Sequence, residues 1–297
     1  LFRSGHMHFH LTCAPAFDYG RTPHDLRVDG EGAVFATPDL TLALDSPVAL
    51  GEDQGGVHAT FTLEPGERRT FVLERIPEGA HSARPFPEEV AQALFQDTVD
   101  YWRRWLHQCT YRGRWRETVR RSALILKLLC YRPTGAIVAA PTTSLPESIG
   151  GGRNWDYRYT WIRDASSTLY AFLKLGFTEE ARGFMAFLKA RALEQHSSGE
   201  GPLQIMYGID GRHELEEFEL PGLEGYRHSS PVRVGNGAAG QLQLDIYGEL
   251  LNSIYLYDKR GEPIDYEVWQ VVVELLDWRS EEHTSELQSR LHLVCRL

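Results

Sequence analysis

Apolar and polar residues alternate along much of the first 80 positions, whereas apolar residues recur every three to four positions after residue 88. Alternation places apolar side chains on one face of an extended chain, so the first part is predicted to form β-strands. Clusters of Gly, Asp and Pro separate these runs, which is typical of an antiparallel sandwich. The predicted strands cover residues 8–12, 33–37, 40–44, 57–63 and 69–74.

Residues 81–87 contain two prolines and are predicted to be a linker, because proline lacks a backbone donor. Helical periodicity follows it, and Pro87 suits the start of the first helix. Two long connections rich in Gly and Pro, at 132–160 and 196–236, interrupt the helices. Connections of that length usually carry function. The predicted helices cover residues 88–107, 115–131, 161–175, 179–195, 237–257 and 265–278.

The composition indicates a folded globular protein: 42% of the 297 residues are hydrophobic, 24% are charged, and the formal net charge is −10. An acidic chain without clustered cations is not expected to bind nucleic acid. No apolar window approaches about 18 residues, so no membrane partner is expected. The four cysteines, Cys13, Cys109, Cys130 and Cys295, have no metal-ligand spacing. We therefore expect no metal or other cofactor, and reduced thiols in a cytoplasmic protein.

Residues 153–164, called the aromatic segment below, hold four aromatic residues, three arginines and two aspartates. Aromatic rings bind the C–H face of a pyranose, while Arg and Asp bind its hydroxyl groups with high discrimination. A helix that begins near Trp161 would place Arg163 and Asp164 in its first turn, at the edge of a cavity. The alternative is a buried Arg–Asp ion pair that pins the loop to the helix, and the residues alone favour neither. Dinucleotide binding is disfavoured, because residues 150–152 lack the G-x-G-x-x-G pattern and no strand precedes them.

Residues 150–164 read Gly-Gly-x-Arg-Asn-Trp-Asp-Tyr-Arg-Tyr-Thr-Trp-Ile-Arg-Asp, with Gly at x. This block resembles the signature of glycoside hydrolase family 15, which contains glucoamylases and trehalase-like enzymes. Residues 15–21, 225–238 and 243–249 resemble further blocks of the same family. The resemblance covers about residues 1–278.

The resemblance implies a mixed β and α fold, in which an N-terminal antiparallel β-sandwich precedes an (α/α)6 barrel. The expected domains are a partial sandwich at 1–80, a linker with its helix at 81–114, and a partial barrel at 115–278. The barrel is expected to be incomplete, because five or six helices are predicted where a closed barrel needs twelve. We interpret the chain as truncated at both ends.

The last segment, residues 279–297, resembles the translation of a sequencing adapter and is expected to be a non-native tail. The alternative is an amphipathic helix, since Leu287, Leu291 and Val294 recur at helical spacing.

By resemblance, Trp161, Arg163 and Asp164 bind the terminal glucose of the substrate at subsite −1. Tyr157 would stack on or border that sugar, and Arg233 would contribute to the same rim. The implied partner is a small-molecule or oligosaccharide α-glucoside. Some trehalases of the family depend on phosphate and magnesium, but no residue here indicates either.

Family members hydrolyse the α-glucosidic bond with inversion of the anomeric configuration, using two carboxyl groups about 6.5–9.5 Å apart. The family's general acid follows a helix equivalent to residues 266–278, in a Pro-Asp-x-Gly-x-Trp-Glu type of segment that is not found here. We assign no catalytic residue and expect the chain to be inactive and poorly soluble. Other candidates are rejected as general acids or bases. The tail contains Glu281, Glu282 and Glu286. A solvated acidic loop is the interpretation of Glu214, Glu216, Glu217 and Glu219, and His213 and His228 are interpreted as loop residues.

The leading hypothesis is therefore a fragment of an inverting, exo-acting α-glucosidase, trehalase-like and directed at α,α-trehalose. Within the family, a glucoamylase or glucodextranase acting on α-glucans is the alternative. A non-catalytic carbohydrate-binding protein is the alternative from another class. A disaccharide phosphorylase is disfavoured by the Trp-Ile-Arg-Asp block at residues 161–164.

Overall fold

The computed structural model describes residues 5–30, 32–77, 79, 85–198, 203–270, 272, 273 and 276. The chain divides into two compact units, Leu1–Arg103 and Arg104–Leu297. The tail predicted at 279–297 and part of the linker predicted at 81–87 lie outside the described residues. The fold is a mixed one with antiparallel sheets and helices, as the sequence predicts.

The described residues of the first unit form seven strands in two antiparallel sheets. One sheet has the order β1-β6-β5 and the other the order β2-β3-β4-β7. The strands are β1 (Met7–Cys13), β2 (Asp25–Asp29), β3 (Gly32–Ala36), β4 (Thr41–Asp45), β5 (Gly51–Asp53), β6 (Gly56–Leu63) and β7 (Val72–Ile76).

Buried residues of both sheets form one hydrophobic cluster. Phe35 on β3 and Leu44 on β4 contribute from one sheet, and Val57 on β6 contributes from the other. The opposite face of β3 is also covered, because Val34 packs with Ala43 and Ile76. Alternation along β3 therefore separates two buried faces rather than a buried face and a solvated one.

The strand predictions differ from the structure mainly at the edges. The strand predicted at 69–74 is wrong at its start, because β7 begins at Val72, where it pairs with Asp45 of β4. The preceding residues follow a turn in which the amide of Glu67 donates to the carbonyl of Glu64. Strands β2 and β5 were not predicted, since β5 has only three residues and β2 alternates charged with branched ones.

The second unit contains helices joined by short two-stranded pairings. The first α-helix runs across the boundary between the units. The elements are α1 (Glu88–His107), α2 (Arg116–Leu128), β8 (Cys130–Tyr131), β9 (Ala136–Ile137), β10 (Thr160–Trp161), α3 (Ile162–Leu175), α4 (Thr178–Ser198), β11 (Met206–Tyr207), β12 (Phe218–Glu219), β13 (Arg233–Val234) and α5 (Asp245–Arg260).

Helix α3 is the centre of the helical packing and contacts both α4 and α5. Its buried residues recur at helical spacing, as do those of α5. Gly176 ends α3 in the left-handed conformation, with φ of 93°, which a residue with a Cβ adopts only at a cost. Because buried residues line α3 from Ile162 onward, its first turn is fixed against the core.

The helix predicted at 237–257 is wrong in its first part. Residues Gly237–Gly240 form a 3-10 helix, capped by the Asn236 side chain, which accepts from the amide of Ala238. Helix α5 begins only at Asp245. Two glycines within four residues disfavour an α-helix, and an acidic residue is favourable in the first helical turn.

A buried carboxylate connects α4 to α2 and to the end of α1. Glu180 accepts hydrogen bonds from the indole of Trp105 at 2.7 Å and from the ammonium of Lys127 at 2.6 Å. The Trp105 ring stacks on Phe177 with 4.0 Å between centroids. Removing Lys127 would leave the buried carboxylate without its counter-charge, so this ion pair fixes α4 relative to α2.

We predict that Gly135→Ala destabilises the second unit by about 2–4 kcal/mol. Gly135 has φ of 83°, and a Cβ there would overlap the carbonyl of Gly183 on α4. The matched control is Gly248→Ala on α5, where a Cβ meets no atom within 4 Å. We expect the control to be neutral or stabilising by up to about 1 kcal/mol. Urea denaturation measures both, and equal stabilities of the two variants would contradict the close approach of β9 to α4.

Candidate functional site

Residues 153–159 of the aromatic segment form the second arm of an irregular hairpin that covers residues 139–159. Backbone amides of the first arm donate to carbonyls of the second: Ala139 to Tyr159 at 3.0 Å, Ala140 to Tyr157 at 2.9 Å and Ser144 to Trp155 at 3.1 Å. Prolines at 141 and 146 lack amide donors and prevent a regular ladder. The long loop is therefore held by its own backbone although it contains little regular structure.

Asp156 is the most buried charged group of this hairpin, with a side chain that is fully enclosed. It accepts from the Arg158 guanidinium through Nε at 2.9 Å and Nη2 at 2.8 Å. The backbone amides of Arg158 and Gly235 also donate to it, at 3.1 and 3.2 Å. A buried carboxylate is tolerated only with such a set of partners. The segment therefore contains a buried Arg–Asp pair, but both of its residues lie in the hairpin, so it does not pin the loop to the helix as the alternative supposes. The Asp156 carboxylate instead bonds the hairpin to Gly235.

Segment 229–236 lies along the hairpin and is bonded to it at several points. The Asn236 amide donates to the carbonyl of Asp156 at 2.9 Å. The buried Asn154 amide donates to the carbonyls of Gly151 and Pro231 at 3.0 and 3.2 Å. The bonds of Asn236 to Asp156 and of Asn154 to Pro231 join residues about 80 positions apart, so the geometry of the aromatic segment depends on a distant stretch of chain.

Arg233 makes contacts to protein on several sides, and its side chain is only 14% exposed. Its Nη1 donates to the carbonyl of Gly152 at 2.9 Å, and its guanidinium lies 4.9 Å from the Trp155 ring centroid. Glu217 and Glu219 lie 3.4 and 3.5 Å from its nitrogens. These contacts place Arg233 at the Trp155 end of the aromatic segment. Its predicted role as a sugar ligand stays a prediction.

Two of the four glutamates interpreted as a solvated loop have structural partners. Besides the pairing with Arg233, the Glu217 carboxylate accepts from the amide of Gly237 at 3.0 Å. The interpretation as a fully solvated acidic loop is therefore wrong for Glu217. His213 lies 3.7 Å from Glu194, and the exposed His228 lies 3.2 Å from Glu224.

Trp161 lies directly before α3 and is nearly buried, at 6% exposure. It pairs with Met206 through β10 and β11, which fixes its backbone. Its ring centroid lies 5.9 Å from that of Tyr157, which is 39% exposed. The indole Nε1 is buried and has no hydrogen-bond partner among the described residues. Buried donors normally have a partner, so this nitrogen indicates a site for an acceptor supplied by water or a ligand.

Arg163 and Asp164 lie in the first turn of α3, as the sequence predicts. The Arg163 guanidinium lies 5.3 Å from the Trp161 ring centroid, and its Nη2 lies 3.4 Å from the Asp164 carboxylate. Its Nη1 donates to Gln243 at 3.3 Å and to Asp245 at 3.2 Å. The side chains of Arg163 and Asp164 are 41% and 44% exposed. Charged groups with unused donors and acceptors therefore lie beside a buried aromatic ring.

The structure brings four of the five predicted site residues together around Trp161, through the contacts of Tyr157, Arg163 and Asp164. Four residues that support this site are not among the predicted site residues: Asn154, Asn236, Gln243 and Asp245. All four lie in the blocks that resemble the family, which is the one signal that points to them.

Burial keeps two groups that carry chemistry in other proteins, the Tyr159 phenol and the Cys130 thiol, in their neutral forms. Burial, followed by the nearby Asp156 charge, raises the pKa of Tyr159 and favours the neutral phenol. Burial raises the pKa of Cys130 to about 12, which disfavours the reactive thiolate. Cys13, Cys109 and Cys130 are free thiols. Among the described residues, no cluster of three or more His, Cys, Asp or Glu side chains is arranged to hold a metal ion.

None of the described helices combines the length and the apolar character that crossing a bilayer needs.

We predict that Asp156→Asn destabilises the second unit by about 3 kcal/mol, because it leaves Arg158 without its buried counter-charge. The matched control is Asp210→Asn, since Asp210 and Arg212 form the same i,i+2 pair with the carboxylate 56% exposed. We expect the control to change stability by less than about 1 kcal/mol. Urea denaturation of both variants measures the difference, and similar losses would show that burial of Asp156 is not what makes its pairing important.

The part of the chain that contains this site matches a known protein family. The family model described as "Glycosyl hydrolases family 15" matches residues 113–288. That match contains the whole aromatic segment and the residues that hold it.

Curated relatives match nearly the whole chain. The chain is 40% identical over 278 residues to a trehalase of Mycolicibacterium smegmatis, covering 91% of this chain and 41% of the relative. It is 37% identical to a trehalase of Thermoplasma acidophilum, covering 88% and 44%, and 40% identical to trehalase 1 of Sulfolobus acidocaldarius, covering 90% and 46%. The chain thus spans less than half the length of these relatives. No solved structure matches the chain.

The family match covers more than half of the chain and includes the segment whose rings and charged groups surround Trp161. The chain therefore belongs to glycosyl hydrolase family 15, on its trehalase-like side.

Proposed function

We propose that the site around Trp161 binds the terminal glucose unit of α,α-trehalose, as part of an inverting, exo-acting trehalase. Membership of family 15 supports the class of reaction, and the relatives named trehalase support the substrate. The proposal includes the architecture of the family: a β-sandwich formed by the first unit and part of an (α/α)6 barrel formed by the second.

The side chains around Trp161 supply the chemistry that a sugar requires. The partly exposed Tyr157 ring and the Trp161 ring offer apolar faces to the C–H groups of a pyranose. The Arg163 guanidinium donates to hydroxyl oxygens, and the Asp164 carboxylate accepts from hydroxyl protons. Charge-assisted bonds of this kind are roughly twice as strong as neutral ones.

The single observation that carries the proposal is the buried, unpartnered Nε1 of Trp161 beside the exposed Arg163–Asp164 pair. An apolar core contact would not need a free indole donor next to charged groups. A sugar hydroxyl accepting from this nitrogen would complete its hydrogen bonding.

Hydrolysis in this family requires two carboxyl groups on opposite sides of the bond. The site around Trp161 contains the carboxyl group of Asp164, which we propose as a sugar ligand and not as a general acid or base. We therefore propose that the chain as printed binds the sugar and does not cleave it. Tyr157, Trp161, Arg163 and Asp164 form the proposed subsite −1, with Arg233 at its rim.

Two other functions remain open to test. A non-catalytic carbohydrate-binding protein would use the same Trp161 site, which makes binding alone insufficient to distinguish it. A glucoamylase or glucodextranase would prefer maltose or isomaltose over trehalose, so a panel of disaccharides separates these substrates.

We predict that Arg163→Ala weakens trehalose binding by about 10- to 100-fold, because a charged donor to the sugar is lost. The matched control is Arg153→Ala in the same segment, since the Arg153 side chain is 76% exposed and forms an ion pair with the exposed Glu147. We expect the control to bind within about twofold of the unaltered chain. Isothermal titration calorimetry measures both, and equal affinities would contradict the placement of the sugar beside Arg163.

We further predict that the chain releases no glucose from trehalose or maltose in a coupled glucose assay. The same sample supplied with an active trehalase is the positive control. Turnover on the order of 1 s⁻¹ or faster, which is typical of enzymes, would contradict the proposed lack of cleavage.

A further inference from the structure

Arg163 is held from a second helix as well as from its own. Asp245, the first residue of α5, accepts from Arg163 Nη1 at 3.2 Å although it lies 82 positions further along the chain. Gln243 accepts from the same nitrogen at 3.3 Å. On the other side, Asp164 lies 3.4 Å from Nη2. Both terminal nitrogens of the guanidinium therefore have acceptors beside them.

The adjacent Asp164 is a weak constraint on this long side chain. Residues i and i+1 of a helix do not face each other, and an exposed ion pair contributes little against the rotamer freedom of arginine. Arg163 is 41% exposed, so packing alone does not select one rotamer. A group on a different, fixed element is needed to hold the guanidinium beside the Trp161 ring.

Asp245 is such a group, because the residues that follow it are anchored in the core. Ile246 and Tyr247 are 1% and 2% exposed, and α5 packs along α3. The carboxylate of Asp245 is itself half exposed, at 50%, so it is not needed to fill the core. Its position is thus set by its buried neighbours, while its charge faces Arg163.

Gln243 reinforces the same arrangement. Its Nε2 donates to Gln241 Oε1 at 3.1 Å, which leaves its Oε1 directed at Arg163. Acceptors from Gln243 and Asp245 therefore meet one donor nitrogen of Arg163. Its remaining donors stay available to a ligand, since a guanidinium carries five N–H groups.

We propose that Asp245 is a positioning residue that fixes the Arg163 guanidinium over the Trp161 ring, so that its free donors meet the hydroxyls of the bound sugar. This inference rests on the proposed sugar site. Asp245 acts through Arg163 and does not touch the sugar itself.

The first test measures Arg163 without any sugar. Phenylglyoxal modifies exposed guanidinium groups, and peptide mass spectrometry follows the rate at Arg163. Asp245→Asn is expected to raise that rate about threefold or more, because the ionic partner is lost. The matched control is Asp258→Asn, which removes the same charge from an exposed position on α5 and is expected to leave the rate unchanged. An unchanged rate in Asp245→Asn would overturn the proposal.

The second test measures trehalose binding by calorimetry. Asp245→Asn is expected to weaken binding about three- to tenfold, and Asp245→Glu, which keeps the charge, to recover most of the loss. If Asp245 acts only through Arg163, the double variant of Arg163→Ala and Asp245→Asn binds as weakly as Arg163→Ala alone. Losses that multiply in the double variant would overturn the positioning role and make Asp245 a direct ligand.

The outcomes separate this proposal from the proposed function. If the unaltered chain binds no trehalose, the proposed sugar site fails, and the labelling rate alone decides whether Asp245 orients Arg163. Thermal melting of each variant checks that the fold is intact. If Asp245→Asn does not fold, Asp245→Glu replaces it in the labelling test, and a rate above that of Asp258→Asn would then contradict rescue by charge.

Discussion

The buried bond between Asp156 and Arg158 is the constraint on which the rest of the site depends. A carboxylate without solvent contact is stable only when several donors reach it, and here they come from the hairpin and from Gly235. Gly235 lies 79 positions from Asp156, so the bond from its amide to this carboxylate folds two long connections onto each other. The aromatic residues on either side of Asp156 are thereby fixed without a regular sheet.

Two arginines that contact tryptophan rings differ in a way that assigns them different tasks. Arg233 beside Trp155 is mostly buried and bonded to the backbone of Gly152, so it stabilises the loops. Arg163 beside Trp161 is considerably more exposed. The same pair of residue types thus supports the architecture at one end of the aromatic segment and leaves guanidinium donors exposed at the other.

The sequence allowed the helical unit, the start of α3 and the residues around Trp161 to be predicted, because helical periodicity and the density of aromatic and charged residues are local signals. It did not reveal the bond of Gly235 to Asp156 or the contact of Asp245 with Arg163, since each joins residues about 80 positions apart. The helix predicted from residue 237 begins eight residues later, at Asp245, because Gly237 and Gly240 disfavour an α-helix although the apolar spacing there is helical. The covered second face of β3 was missed because alternation does not say what lies on either side of a sheet.

We propose that Tyr157, Trp161, Arg163 and Asp164 surround one glucose unit. A crystal structure of the chain grown with trehalose tests this arrangement most directly. We predict a sugar hydroxyl within hydrogen-bond distance, about 3 Å, of Trp161 Nε1 and of the Arg163 guanidinium. A bound sugar elsewhere on the chain, or water alone at Trp161 Nε1 under saturating trehalose, would contradict it.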